Sequence, residues 1–143
     1  MLVLFLRYIC LPTPMKHKTV LLIDDDEDDQ LIFKDAIKEL YSGMECLIAS
    51  NGKDAYLQLE RSSAGPSLIF LDLNMPVMNG FEFLERLKKN DRLKNIPVVI
   101  YTTSDNPVDK KSTLAAGAVF FFTKTADFKL LKLKLNEVLQ RIF

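Results

Sequence analysis

Apolar residues along the chain gather in five short segments, at 20–23, 45–50, 68–71, 98–101 and 119–122. The third, Leu68-Ile69-Phe70-Leu71, has no polar interruption and predicts a strand buried on both faces. Between the segments the spacing changes to that of helices. After Asp28 or Asp29 as N-cap, the first helix carries Leu31, Ile32, Ala36, Ile37 and Leu40 on its buried side, opposite Lys34, Lys38 and Glu39. Ser42-Gly43 ends it. Asn51-Gly52 reads as a turn before a short helix at 54–60. Pro76 and Asn79-Gly80 punctuate the next turn, with Gly80 expected to supply a positive φ before a helix bearing Phe81, Phe83, Leu84 and Leu87. A fourth helix is predicted at 108–116, closed by Gly117. Asp127 caps the last, which buries Phe128, Leu131, Leu135, Val138, Leu139 and Ile142.

Strict alternation of strand and helix at this spacing requires a parallel sheet with helices on both faces and right-handed crossovers. The predicted class is therefore α/β, a doubly wound five-stranded parallel sheet. No internal repeat or low-complexity tract interrupts it. Composition agrees with one globular domain: 48% hydrophobic and 27% charged residues over 143 positions. Nineteen basic residues balance nineteen acidic ones, so charge asks for neither nucleic acid nor an anionic membrane. Cys10 and Cys46 have no metal or redox spacing and are expected to be reduced thiols of a cytoplasmic protein. His17 sits in a basic run and is expected to have no catalytic role. Residues 1–14 differ from the rest: an apolar stretch interrupted by Arg7, too short for a bilayer, then Pro12-Thr13-Pro14. They are expected to be a dispensable arm or a misplaced start, with the domain running over 15–143 from Met15.

The candidate chemistry lies where the strands end. In a doubly wound sheet the C-terminal strand ends share one edge, and ligands bind there. That edge would hold Asp24 and Asp25 after the first strand, Asp72 after the third, Thr102 after the fourth and Lys124 after the fifth. Three carboxylates gathered so closely need a compensating charge, which a hard divalent cation such as Mg²⁺ supplies. Cation and lysine together could hold a phosphoryl group against Asp72, with the Thr102 hydroxyl reaching one oxygen.

These residues stand in four motifs, Val20-Leu-Leu-Ile-Asp24-Asp25-Asp26, Leu71-Asp72-Leu-Asn74-Met75-Pro76, Val98-Val-Ile-Tyr-Thr102 and Phe121-Phe-Thr-Lys124. In order and spacing they resemble the receiver domain of two-component response regulators, over residues 18–143. The resemblance implies a flavodoxin-like (βα)5 fold with strand order 2-1-3-4-5. It implies that Asp72 takes a phosphoryl group from a phosphohistidine on a sensor histidine kinase or a histidine phosphotransfer protein. Mg²⁺ would be held by Asp25, Asp72 and the backbone carbonyl of Asn74, with Asp24 acting through water. Lys124 would pair with phosphoryl oxygens, Thr102 would move toward them, and Phe121 would turn inward as the second half of a switch. Asn74 and Ser104 stand where relatives tune the lifetime of the phosphoryl group. Such a chain is a phosphoacceptor that assists its own phosphorylation and dephosphorylation rather than an enzyme proper. It would signal to a downstream effector protein by docking or phosphorelay, as a monomer or weak homodimer, with no nucleic acid and no membrane partner.

Two departures from the family pattern stand out. Thr125 follows Lys124 where receivers usually have proline in a cis bond, so a trans bond is expected here. Phe121 stands where tyrosine is common, leaving a switch that rests on packing. Two other functions are open to these residues. A pseudo-receiver acting as a protein-interaction scaffold would keep the pocket without phosphorylation. A phosphatase of the haloacid dehalogenase type could use Asp24-Asp25-Asp26, but it needs Thr or Val where Asp28 stands and a cap domain.

Overall fold

The computed structural model describes residues 18–143. The expectations for residues 1–14, Cys10 and His17 lie outside the described residues. In chain order the elements are β1 (Thr19–Ile23), α1 (Glu27–Leu40), β2 (Glu45–Ala49), α2 (Gly52–Arg61), β3 (Leu68–Leu71), α3 (Gly80–Lys88), β4 (Val98–Thr102), α4 (Pro107–Ala115), β5 (Phe120–Thr123) and α5 (Phe128–Ile142). All strand pairs are parallel, in the order β2-β1-β3-β4-β5. This is the flavodoxin-like arrangement expected for the chain.

Side-chain alternation divides the core into two layers. Leu21, Ile23, Ile69, Leu71, Val98 and Ile100 point to the face covered by α2 and α3, where Leu59, Phe83, Leu84 and Leu87 meet them. Val20, Leu22, Leu68, Phe70, Val99 and Tyr101 point to the other face, against Phe33 and Ile37 of α1 and Leu131, Leu135 and Leu139 of α5. Burial on both faces explains why β3 reads as an unbroken apolar run. Beneath the strand ends, the rings of Phe33, Phe70, Tyr101 and Phe122 form a connected cluster, with Phe33–Phe70 and Tyr101–Phe122 centroids both 4.9 Å apart. Edge-on and tilted aromatic contacts of this kind give the sheet edge a firm floor.

Several helix starts differ from the sequence expectation, each for a local reason. The N-cap of α1 is Asp26, not Asp28 or Asp29, and its side chain accepts from the Asp28 and Asp29 amides. The buried stripe runs through Phe33, Ala36 and Ile37 at i, i+3, i+4 spacing, while Leu31 and Ile32 are exposed. Asn51 is the N-cap of α2, so Gly52 begins a helix instead of ending a turn. Its packing is the reason a glycine stands there: a Cβ at Gly52 would lie 2.9 Å from the Met78 carbonyl oxygen. The fourth helix begins one residue earlier, with Pro107 in its first turn behind the Asn106 cap. Phe128 and Ile142 are only half-buried.

Gly80 does not adopt a positive φ; that conformation occurs at Val77 (φ 69°), Gly65 (φ 68°) and Gly117 (φ 110°). Gly80 opens α3 behind an Asn79–Glu82 capping box, and what it supplies is clearance. A Cβ there would lie 2.4 Å from the Asp72 carbonyl oxygen and 2.7 Å from Leu73 Cα. The glycine thus lets the α3 start press against the strand that ends in Asp72.

Candidate functional site

Strand register brings the candidate residues to one edge. Ile23 pairs with Leu71 and with Ala49, so the next residues, Asp24 and Asp72, leave the sheet side by side. The ladder continues through them: the Asp24 amide donates to Ala49 O and the Asp72 amide to Ile23 O, both at 3.0 Å. Across β4 and β5, Thr102 pairs with Thr123, and the Lys124 amide donates to Thr102 O at 2.7 Å. Buried backbone pairing therefore fixes the base of each side chain, leaving only its own torsions free.

The side chains converge on one ammonium group. Lys124 Nζ lies 2.6 Å from Asp24 Oδ2, 2.8 Å from Asp29 Oδ2 and 3.2 Å from Asp72 Oδ2. The lysine side chain is 8% exposed, although its charged end belongs to a residue type normally in water. Its bonds to Asp29 and Asp72 have hydrogen-bond geometry. The contact with Asp24 is an ion pair without that alignment, leaving Asp24 Oδ2 buried with no hydrogen bond. Asp24 Oδ1 accepts from the Asp26 amide, and Asp72 Oδ1 from the Asn74 amide at 3.3 Å. The ammonium also sits 5.4 Å from the Tyr101 ring centroid, which adds a favourable aromatic face.

Burial and charge act against each other in this pocket. Burial pushes the Asp24 carboxyl up from 3.8 to about 6, against the opposing pull of Lys124 and the Asp26 amide. For Lys124, burial alone would lower the pKa, but Asp24, Asp29 and Asp72 outweigh it and hold the ammonium above the ordinary lysine value. The phenol of Tyr101 is pushed up by burial. The lysine is therefore a fixed cation under neutral conditions, and one carboxylate is held ionised at a cost.

Asp24, Asp25 and Asp72 each offer one oxygen within 4.8 Å of the others, with Asp25 exposed and the other two buried. An all-oxygen donor set open to solvent through Asp25 suits a hard divalent cation. Thr102 is fully buried and its Oγ1 has no partner, an acceptor-seeking hydroxyl at the pocket wall. Phe121 is half-buried against the α2/α3 face of the sheet. Ser104 donates to Asp109 Oδ2 at 2.7 Å, and Thr123 Oγ1 donates to Ser104 O at 3.1 Å, so the loop after β4 is tied to β5. No peptide bond among the described residues is cis, as expected for Lys124–Thr125.

Asp29 is the residue that sequence reasoning did not place here. It was expected to be a helix cap, because six successive acids offer no obvious choice among them. Once Asp26 is the cap, Asp29 falls at the third helical position, on the turn that faces the sheet edge.

The chain matches the family described as the response regulator receiver domain over residues 20–136. Response regulator Rcp1 of Synechocystis sp. is 33% identical over 117 residues, which is 78% of this chain and 80% of Rcp1. Among solved structures, that of the phosphorylated cyanobacterial phytochrome response regulator RcpA is similar with a TM-score of 0.78 at 28% identity, covering 85% of this chain and 91% of RcpA. The Mn²⁺-bound form of Rcp1 gives 0.75 at 31% identity, with the same 85% and 91% coverage. No described helix is long and apolar enough to cross a membrane.

Proposed function

This chain belongs to the response regulator receiver family of two-component signalling, and we propose that it is a phosphoacceptor centred on Asp72. An oxygen of the Asp72 carboxylate attacks the phosphorus of a phosphohistidine on a sensor histidine kinase or histidine phosphotransfer protein. The P–N bond breaks, its electron pair stays on the imidazole nitrogen, and an acyl phosphate forms. Asp25, Asp72 and the backbone carbonyl of Asn74 would hold Mg²⁺, with Asp24 acting through water. The ion supplies positive charge to the phosphoryl oxygens. Rcp1, a relative, has been solved with Mn²⁺, an ion of the same hard class.

The observation that carries this reading is the position of Lys124 Nζ, 3.2 Å from Asp72 Oδ2 and nearly buried. Once Asp72 carries the phosphoryl group, that ammonium is near enough to pair with one of its oxygens. The unpaired Thr102 hydroxyl gains the acceptor it lacks by turning to the same group. Phe121 then moves inward, and the altered surface around β5 is what a downstream effector protein reads. The chain assists this transfer and the later hydrolysis, in which water attacks the phosphorus, the Asp72 carboxylate leaves and inorganic phosphate is released, but it turns over no separate substrate.

Incubation with acetyl phosphate and Mg²⁺, read by intact mass, tests the reading. A single phosphoryl adduct is expected on the wild type, absent in excess EDTA and absent from Asp72→Asn. No adduct from a protein that still binds Mg²⁺ would leave the interaction scaffold as the better account.

A further inference from the structure

Lys124 has three N–H donors and three carboxylates around it. Two of those carboxylates, on Asp24 and Asp72, belong to the cluster that suits a cation. The third, on Asp29, does not. It comes from the first turn of α1, is about one-third exposed (31%), and holds the ammonium at 2.8 Å, closer than Asp72 does at 3.2 Å. Contacts of 2.8 and 3.2 Å to one nitrogen place the Asp29 and Asp72 oxygens no more than 6.0 Å apart.

We propose that Asp29 is a positioning residue that competes with the phosphoryl group for Lys124, and so sets how tightly the pocket holds that group. The proposal rests on the reading of Asp72 as phosphoacceptor. A phosphoryl group on Asp72 brings new negative charge to the place where Asp72 Oδ2 now meets the ammonium. Two consequences of Asp29 then oppose it. One N–H of Lys124 remains engaged by Asp29, and a fixed negative charge lies a few ångströms from the arriving anion, well within the distance over which salt screens charge. Asp28 provides a natural comparison: it carries the same charge in the same helical turn, is exposed, and makes no contact with Lys124.

The test uses beryllofluoride, a stable mimic of a carboxylate-bound phosphoryl group, titrated calorimetrically into the whole chain. Mg²⁺ is kept at a saturating level established separately for each variant. Asp29→Asn is expected to bind the mimic about tenfold more tightly than the wild type. Asp28→Asn should stay within about twofold of it, and Asp29→Glu should return toward it. Damage to the fold lowers affinity, so a gain in Asp29→Asn cannot come from that cause. Unchanged or weaker binding by Asp29→Asn overturns the proposal, as does an equal gain in Asp28→Asn, which would make the effect one of net charge alone. A wild type that binds Mg²⁺ but no beryllofluoride overturns the phosphoacceptor reading itself, and this proposal with it.

Discussion

Neutralising Asp24 should stabilise the metal-free protein, although it removes one arm of a buried ion pair. The carboxyl is fully buried, and its pKa rises from 3.8 to about 6 on folding, first because of burial and despite the help of Lys124. At about 1.36 kcal/mol per unit, a displacement of that size amounts to about 3 kcal/mol of lost stability when the group is ionised. The sign follows from proton counts. Between pH 3.8 and about 6 the folded state holds the proton more firmly than the unfolded chain does. Stability therefore falls as pH rises through that window, and the full loss is present above it. Asp24→Asn carries no such loss at any pH. Urea unfolding in EDTA should show the variant about 3 kcal/mol more stable at pH 8, with the gap closing toward pH 4. Saturating Mg²⁺ should narrow the gap at pH 8 by stabilising the wild type more than the variant. A gap independent of pH, or a variant less stable at pH 8, would refute the view that Asp24 is held ionised against its burial.

Other substitutions probe separate parts of the site. Thr102→Val replaces a buried hydroxyl that has no partner with a methyl of similar size, and should raise the unfolding free energy by about 1 kcal/mol while weakening beryllofluoride binding. Gly80→Ala forces a Cβ to 2.4 Å from the Asp72 carbonyl oxygen, and should lower the urea midpoint by the equivalent of about 3 kcal/mol with the m-value unchanged. Asp25→Asn alters an exposed side chain, so thermal unfolding in EDTA should move little, while calorimetry should show Mg²⁺ affinity reduced by about tenfold or more.

The strands were legible in the sequence because a strand buried on both faces must be apolar along its length, and Leu68 to Leu71 can be little else. The site was legible for a related reason. Each of those runs stops abruptly at Asp24, Asp72, Thr102 or Lys124, and parallel topology sends all four stops to one edge. Helix phase was less legible. Six adjacent acids between Asp24 and Asp29 offer several caps of similar quality, and the buried side takes Phe33 with Ala36 and Ile37 in place of Leu31 and Ile32. With Asp26 as the cap, Asp29 is free of that role and meets Lys124, so the uncertain cap concealed a member of the site. Gly80 shows a different limit: its role is the absence of a Cβ against a neighbouring strand, a tertiary fact that no turn rule contains.

The central claim is that Asp72, among all the carboxylates crowded at this edge, takes the phosphoryl group. The most direct test is to treat the Mg²⁺-loaded protein with acetyl phosphate, reduce the acyl phosphate with borohydride, and locate the resulting alcohol by peptide mass spectrometry. The account predicts the label at Asp72 alone, lost when Mg²⁺ is chelated. Label on Asp24, Asp25 or Asp29, or none on Asp72, would contradict it.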